Sequence, residues 1–179
     1  MLCPDNPEGA SCVTNQGTDC GNIQKYCYNN LESNCDIYGG LYQWTQAMCG
    51  STDPGIQGIC PTGWSIPTDT GASTGDLGVL VAYLGSNSAS KLAGNDDLWT
   101  SGNLRNSADF NTTGFMALPA GLRYSNGSFY NLGSYAFFWS SSEYYGGHSW
   151  LRLLLYDYTE VDRDSSGQVY GLSVRCLKN

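Results

Sequence analysis

The spacing of apolar residues predicts two helices in the first half of the chain. Leu41, Trp44 and Met48 lie at positions i, i+3 and i+7, which places them on one face of a helix. A second stripe has the spacing i, i+3, i+4 and i+7 and ends at a glycine; its members are Leu77, Leu80, Val81 and Leu84. Ser73, with Asp76 three residues later, forms a weak capping box at the start of this second helix. We therefore expect both helices to pack one face against a core.

Short apolar segments separated by Gly, Ser and Asp predict strands in the second half of the chain. The segments GFMALPAGLRY and GSFYNLG flank Asn126-Gly127, which is a strong signal for a hairpin turn. Four further strand-like segments follow, AFFWSSS, SWLRLLLY, TEVDR and VYGLSVRCL. Residues 87–111 are polar and turn-rich, and we expect loops there. The order of elements predicts one α+β domain over residues 1–179, with helices first and strands later.

The composition favours a neutral polar surface over an ionic one. Charged residues make up 13% of the 179 residues, and the net charge is −8. A nucleic-acid-binding protein would carry a basic patch, so we expect no nucleic-acid partner. The sequence also contains no apolar stretch long enough to cross a bilayer, so we expect no membrane insertion.

The eight cysteines favour disulfide bonds over free thiols. Their number is even, and no pair has the CxxC spacing of zinc or thioredoxin-like sites. Five of them fall within residues 1–36, where we expect an irregular, disulfide-stapled segment. Cys27 and Cys35 flank a short closed loop and form one predicted pair. Because no signal peptide precedes this cysteine pattern, we expect part of a larger exported protein, extracellular or at the cell surface.

Six long strings in the chain match the pattern of one known family. They are KYCYNN, NCDIYGGLYQW, GICPTGWSIPT, LPAGLRYSNGSFYNLGS, FWSSSE and YGLSVRCLKN. Together they resemble the Fibrobacter succinogenes major paralogous domain family. That family is similar in turn to domains with a C-type-lectin-like fold. The resemblance implies two helices followed by a small twisted antiparallel sheet with long loops.

The resemblance also implies one disulfide bond. The family pattern has one cysteine before the second helix and one in the last strand, which are Cys60 and Cys176 here. A bridge between them would close a loop of more than 100 residues and hold the C-terminal strand in place. Four cysteines remain without an assigned partner: Cys3, Cys12, Cys20 and Cys49.

The similarity extends to the variable proteins of diversity-generating retroelements. In those proteins, fixed scaffold residues alternate with positions mutated through adenine-containing codons. A template Asn codon of the AAC type can become Tyr, Asp, Ser, Gly, His, Leu or Asn, but not Glu, Gln, Lys or Trp. The resemblance implies a variable ligand-binding region over residues 134–176. Its predicted ligand-binding residues are Tyr144, Tyr145, His148, Leu151, Leu153, Tyr156, Asp157, Tyr158, Asp162 and Asp164.

A second set in the same region resembles the fixed scaffold of the family. Its members are Trp139, Trp150, Arg152, Leu154, Val161, Arg163, Gly171 and Arg175. The arginines either brace the scaffold or recognise anions. Glu160 is not in the set that an AAC codon can reach, so the codon rule is incomplete here. The mixture of Tyr, Gly, Ser and Asp is typical of antibody paratopes, and we expect a non-enzymatic domain that binds a protein or glycan on another cell or particle.

Calcium binding and catalysis are the alternative chemistries. The string DRDSSG at residues 162–167 matches the opening of a calcium loop, with Asp162 and Asp164 as candidate ligands. Ser173 stands where such a loop has its bidentate Glu, and a solvated polar turn is the other interpretation. Calcium would make the domain a carbohydrate-binding or adhesion module. His148 lies close to three serines without a nucleophile elbow, and an enzyme of the formylglycine-generating type would need a free thiol, so we expect no catalysis.

Overall fold

The computed structural model describes residues 16–179, which form a mixed α and β fold with small antiparallel sheets. The α-helices of this part of the chain are α1 Glu32–Tyr38, α2 Trp44–Ala47, α3 Gly75–Leu84, α4 Ser88–Leu92 and α5 Asn103–Asn106. Two 3-10 turns cover Tyr28–Asn30 and Asp96–Leu98. Cys3 and Cys12, with the first 15 residues of the predicted irregular segment, lie outside the described residues.

Apart from β1, which lies between α2 and α3, the strands follow the α-helices along the chain, as the sequence predicts. They are β1 Trp64–Ser65, β2 Leu122–Arg123, β3 Phe129–Tyr130, β4 Tyr135–Tyr145, β5 His148–Leu155, β6 Asp162–Gly167 and β7 Leu177–Lys178. Strands β4, β5 and β6 form the antiparallel central sheet, and β1 pairs with β7. Strands β2 and β3 form the predicted hairpin, in which Gly127 adopts the positive φ of 87° that the tight turn needs.

Helix α3 confirms the second apolar stripe but begins differently from the prediction. The residue before its first turn is Thr74 rather than Ser73, and no side chain caps it. Instead, the Thr68 backbone N–H and hydroxyl donate to Asp76 Oδ2 at 2.9 and 2.8 Å. The Asp76 N–H donates back to Thr68 Oγ1 at 3.0 Å. The helix start is therefore held by the extended segment that precedes it.

Two clusters of buried side chains cover the two faces of the central sheet. One contains Phe138 and Leu154 from the sheet, with Trp99 and Leu104 from residues 87–111. The prediction of loops for residues 87–111 is wrong in part, because α4 and α5 lie within this region. Both helices are too short to show a helical period in the sequence.

The other cluster contains these residues: Trp44, Ala47, Met48, Cys60, Ile66, Leu122, Trp139, Leu151 and Leu172. The predicted first helix is therefore real but only one turn long, as α2.

Three disulfide bonds cross-link the described residues. Cys27–Cys35 and Cys60–Cys176 are the two pairs that we predict, with Cα–Cα distances of 5.0 and 5.8 Å. Cys20–Cys49 accounts for two of the unassigned cysteines. These disulfide bonds are compatible with an exported domain, because disulfides persist in oxidising compartments.

Within residues 16–179 no helix has the length and apolar character of a membrane span.

Candidate ligand-binding face

Strands β5 and β6 place alternate residues on opposite sides of the central sheet. The register pairs Arg152 with Arg163 and Leu153 with Asp162, so neighbours in sequence fall on different sides. We call the side that carries Arg152 and Arg163 the braced face. The side that carries Leu153 and Asp162 is the display face. Leu153 and Asp162 of the predicted ligand-binding set thus lie on the side opposite to Arg152 and Arg163 of the scaffold set.

A buried carboxylate organises the braced face. Asp69 is fully buried, and its oxygens accept hydrogen bonds from Arg152 Nε and Nη2 at 2.7 and 2.8 Å. Arg163 Nε donates to the same carboxylate at 3.0 Å. The Arg163 guanidinium also lies 3.3 Å from the centroid of the Trp150 ring. The centroid of the Tyr144 ring lies 4.4 Å from that of the same Trp150 ring. Both arginines therefore brace the scaffold.

The display face carries apolar side chains beside carboxylates. Phe137, Leu153 and Asp162 form one row across the three strands. Phe137 and Leu153 are half-buried, while Asp162 and its neighbour Asp164 are exposed. The ring of Tyr135 extends the apolar strip, with its centroid 5.8 Å from that of Phe137. The face thus offers an aromatic and aliphatic strip with an acidic border.

Leu151 differs from the prediction that it is displayed. It lies in the neighbouring row with Trp139, but only 3% of its surface is exposed. It belongs to the cluster that contains Trp44 and Met48, which lie in and directly after α2. This part of the display face is covered, so Leu151 is not available to a ligand. Leu153, two residues on, packs against the edge of the same cluster but stays half-exposed.

The β4–β5 hairpin end presents the most exposed of the predicted residues. Tyr145 pairs with His148 across the turn, and 81% of its surface is exposed. His148 and Tyr144 are exposed as well, although Tyr144 keeps one contact with the braced face through Trp150. Gly146 and Gly147 both have positive φ, of 56° and 79°, which allows the two-residue turn.

The remaining predicted residues lie at the opposite end of β5, roughly 25 Å along an eight-residue strand. Asp157 and Tyr158 are exposed there. Tyr156 is half-buried against the cluster of the braced face, and its backbone N–H donates to Ser134 O at 2.9 Å. Tyr156 therefore packs as part of the fold and is not displayed for a ligand. The predicted residues occupy one face and both ends of the sheet, not one compact patch.

Glu160, which breaks the codon rule, has a structural role. Its carboxylate accepts hydrogen bonds from the Asn87 N–H at 2.7 Å and from the Ser88 N–H and hydroxyl at 3.3 and 2.9 Å. Burial raises the pKa of Glu160, but these hydrogen bonds outweigh it and leave the pKa below its ordinary value. The residue joins the chain between β5 and β6 to the start of α4.

Sequence reasoning missed three tyrosines that extend the display face. Leu122, which packs with the cluster on that side, lies opposite Tyr130. The ring of Tyr124 lies 4.9 Å from those of both Tyr130 and Tyr170, measured between centroids. Residues 171–173 connect this hairpin to β4 through isolated bridges. The alternation of Leu122 and Tyr124 in the sequence could have indicated this extension, but the predicted ligand-binding region began at residue 134.

The string DRDSSG forms strand β6 and not a loop. Its residues pair with β5 from His148 to Leu153, so neither the calcium loop nor the polar turn forms there. Among residues 16–179, the one group of three close metal-ligand atoms is that of Cys27, Glu32 and Cys35. Its two sulfur atoms are joined in a disulfide, which accounts for the cluster.

Comparison with known proteins gives one match. The family model described as the Fibrobacter succinogenes major domain matches residues 6–178, which is nearly the whole chain. No curated protein sequence and no solved structure matches.

Proposed function

The chain belongs to the Fibrobacter succinogenes major domain family, and we propose that it is a non-enzymatic recognition domain on a C-type-lectin-like scaffold. It binds a protein partner on another cell or particle through the display face and the β4–β5 hairpin end. The division of β5 and β6 into a braced and a display face carries this proposal. Such a division lets one side hold the fold while the other meets a ligand.

The chemistry of the display side suits a protein partner. Exposed apolar groups in contiguous patches mark interaction sites, and Tyr offers a large, rigid contact area at low entropic cost. Tyr145 projects from the hairpin end, and Leu153 lies between Phe137 and the exposed Asp162. Aromatic side chains with a polar border resemble the anchors and rim of protein interfaces.

The same division supports diversification by a retroelement. Positions of the reachable set, such as Tyr145, Leu153 and Asp162, take no part in the Asp69 network. Glu160, outside that set, holds α4. The genomic test is a near-duplicate of the 3′ coding region with adenines at the displayed codons, next to a reverse transcriptase gene. Absence of both would remove diversification and leave generic binding.

Two display libraries test the recognition role. The first randomises these positions: Tyr145, His148, Leu153, Tyr158, Asp162 and Asp164. The matched control library randomises these positions: Trp150, Arg152, Leu154, Glu160 and Arg163. We expect the first library to keep the fold, measured by resistance to protease, and to yield binders against protein targets. The control library should lose the fold. Equal loss of fold in both libraries would contradict the proposal.

Whether the domain binds calcium distinguishes the proposed function from the alternative, a carbohydrate-binding or adhesion module. Calorimetric titration of calcium into chelator-treated protein, combined with a glycan-binding assay, measures both properties together. We expect no heat and no thermal shift, because Asp162 and Asp164 project from a strand rather than a loop that encloses an ion. Calcium-dependent glycan binding would replace our proposal with the alternative.

A further inference from the structure

An apolar cavity of about 140 Å³ lies between α3 and the braced face. Leu77, Leu80 and Val81 line it from the helix, while Phe138 and Leu154 line it from the sheet. Its volume is close to the roughly 150 Å³ of an engineered apolar cavity that stays dry and binds benzene. The space is thus large enough for one small ring.

The backbone of α3 approaches the rest of the molecule closely near the start of the helix. Gly78 is buried there, and a Cβ atom on it would collide with the carbonyl oxygen of Gly71. Leu80 and Val81 follow on the inner side of the helix but are only half-buried. Leu80 and Val81 pack against the buried cluster on this side of the sheet and form the helix wall of the cavity.

Two of the three charged side chains at this cavity have their charges satisfied by the protein. Asp76 accepts from the N–H and hydroxyl of Thr68. Arg152 donates two hydrogen bonds to the buried carboxylate of Asp69 and a third to the carbonyl oxygen of Gly71. Neither has a charge that requires a ligand.

Arg175 is the third charged residue and is different. Its Nη2 donates to the carbonyl oxygens of Phe115 and Met116, and its guanidinium lies 4.6 Å from the centroid of the Phe115 ring. Its Nε and Nη1 donate to no group, and it forms no ion pair, within residues 16–179. The cavity therefore has a cation at its wall with hydrogen-bond donors to spare.

We propose that this cavity binds a small carboxylic acid that carries a single ring or a short branched chain. The apolar body occupies the space under α3, and the carboxylate accepts hydrogen bonds from Arg175. Apolar walls with one placed charge are the usual composition of small-molecule sites, and hydrogen bonds between guanidinium and carboxylate are strong. The site is separate from the display face and does not depend on the function proposed for it.

Phenylacetate is the probe, with toluene and acetate as comparators. Binding is measured by calorimetry and by chemical-shift changes of the Leu and Phe side chains around the cavity. We expect phenylacetate to bind, toluene to bind more weakly, and acetate not to bind. Binding of acetate as tight as that of phenylacetate would overturn the proposal, as would no binding of phenylacetate.

Arg175→Gln isolates the charge. We expect phenylacetate to bind about tenfold more weakly or worse to this variant, because a hydrogen bond to a charged group contributes on this scale. Toluene binding should not change. Lys178→Gln removes an exposed cation from the neighbouring strand β7 and should leave both affinities unchanged. Equal phenylacetate affinity of Arg175→Gln and the unaltered protein would overturn the role of Arg175.

Leu80→Phe fills the cavity and should abolish the binding of both ring compounds. The control is Val79→Phe, on the outer side of α3 where 58% of the valine is exposed, which should preserve binding. Thermal unfolding of each variant without ligand shows whether it is folded. Retained binding in a folded Leu80→Phe variant would overturn the location, and if that variant does not fold, Arg175→Gln alone decides.

Discussion

The two faces of the central sheet are made by the same strands but differ in what they permit. On the braced face, Arg152 and Arg163 converge on the buried Asp69, and a change at Asp69 removes the ion-pair partner of both arginines. On the display face, Leu153 and Asp162 contact solvent on one side. Because side chains alternate along a strand, one face can change without disturbing the other. The comparison predicts that substitutions at Leu153 and Asp162 cost less stability than substitutions in the Asp69 network.

The largest test of this difference is Asp69→Asn. Removing the charge leaves two arginines without their counter-ion, and breaking a buried pair in this way costs about 3–5 kcal/mol of the free energy of unfolding. Denaturant titration measures the loss. Asp164→Asn makes the same chemical change at an exposed position of the display face and should stay within about 0.5 kcal/mol. A cost below about 1 kcal/mol at Asp69 would contradict the bracing role.

Three leucines in one strand sharpen the comparison. Leu154→Ala on the braced face should cost about 2–5 kcal/mol, because the side chain is fully buried. Leu153→Ala should cost less than about 1.5 kcal/mol, because the native side chain is half-exposed. Leu151→Ala should resemble Leu154→Ala, because α2 covers it. Equal costs at Leu153 and Leu154 in denaturant titration would remove the distinction between the faces.

Glu160→Gln tests a residue between β5 and β6 whose carboxylate holds the start of α4. We expect a loss of about 1 kcal/mol at neutral pH, because the carboxylate accepts three hydrogen bonds at the start of α4. The pKa of Glu160 is lowered in the folded state, so its stabilisation is present above its ordinary pKa and is lost as the pH falls through the folded value. The difference between variant and unaltered protein should therefore disappear in acid. A difference that is constant with pH would exclude the charge as its cause.

The smallest expected effect is that of Tyr145→Ser at the hairpin end. The ring is almost fully exposed, so the free energy of unfolding should change by less than about 0.5 kcal/mol. Binding to a selected partner should fall much more than stability does. A large loss of stability, measured in the same denaturant titration, would make Tyr145 a structural residue.

Local patterns in the sequence predict the parts of the fold that depend on local periodicity. The stripe from Leu77 to Leu84 gives α3, and the Asn126-Gly127 turn gives the β2–β3 hairpin. Both features depend on local spacing and turn residues, which the sequence shows directly. The scaffold role of Trp150 and Arg152 comes instead from the resemblance to the family, and both residues take part in the contacts around Asp69 and Arg163.

The errors arise where distant residues decide the outcome. Asp69 has no local signal, because its partners lie 83 and 94 residues away. Leu151 is buried by α2, about a hundred residues earlier in the chain, which no pattern around Leu151 records. Asp162–Gly167 consists of residues that disfavour strands, and pairing with β5 overrides their preference.

The Cys60–Cys176 bond also sets how the domain responds to mechanical force. It joins residues 116 positions apart, and both α3 and the central sheet lie between them. Tension applied to the chain outside this interval passes through the covalent bridge and bypasses the sheet. The Cys20–Cys49 bond bypasses α1 and α2 in the same way. Extension of the chain from outside the Cys60–Cys176 interval therefore does not draw the ends of the central sheet apart.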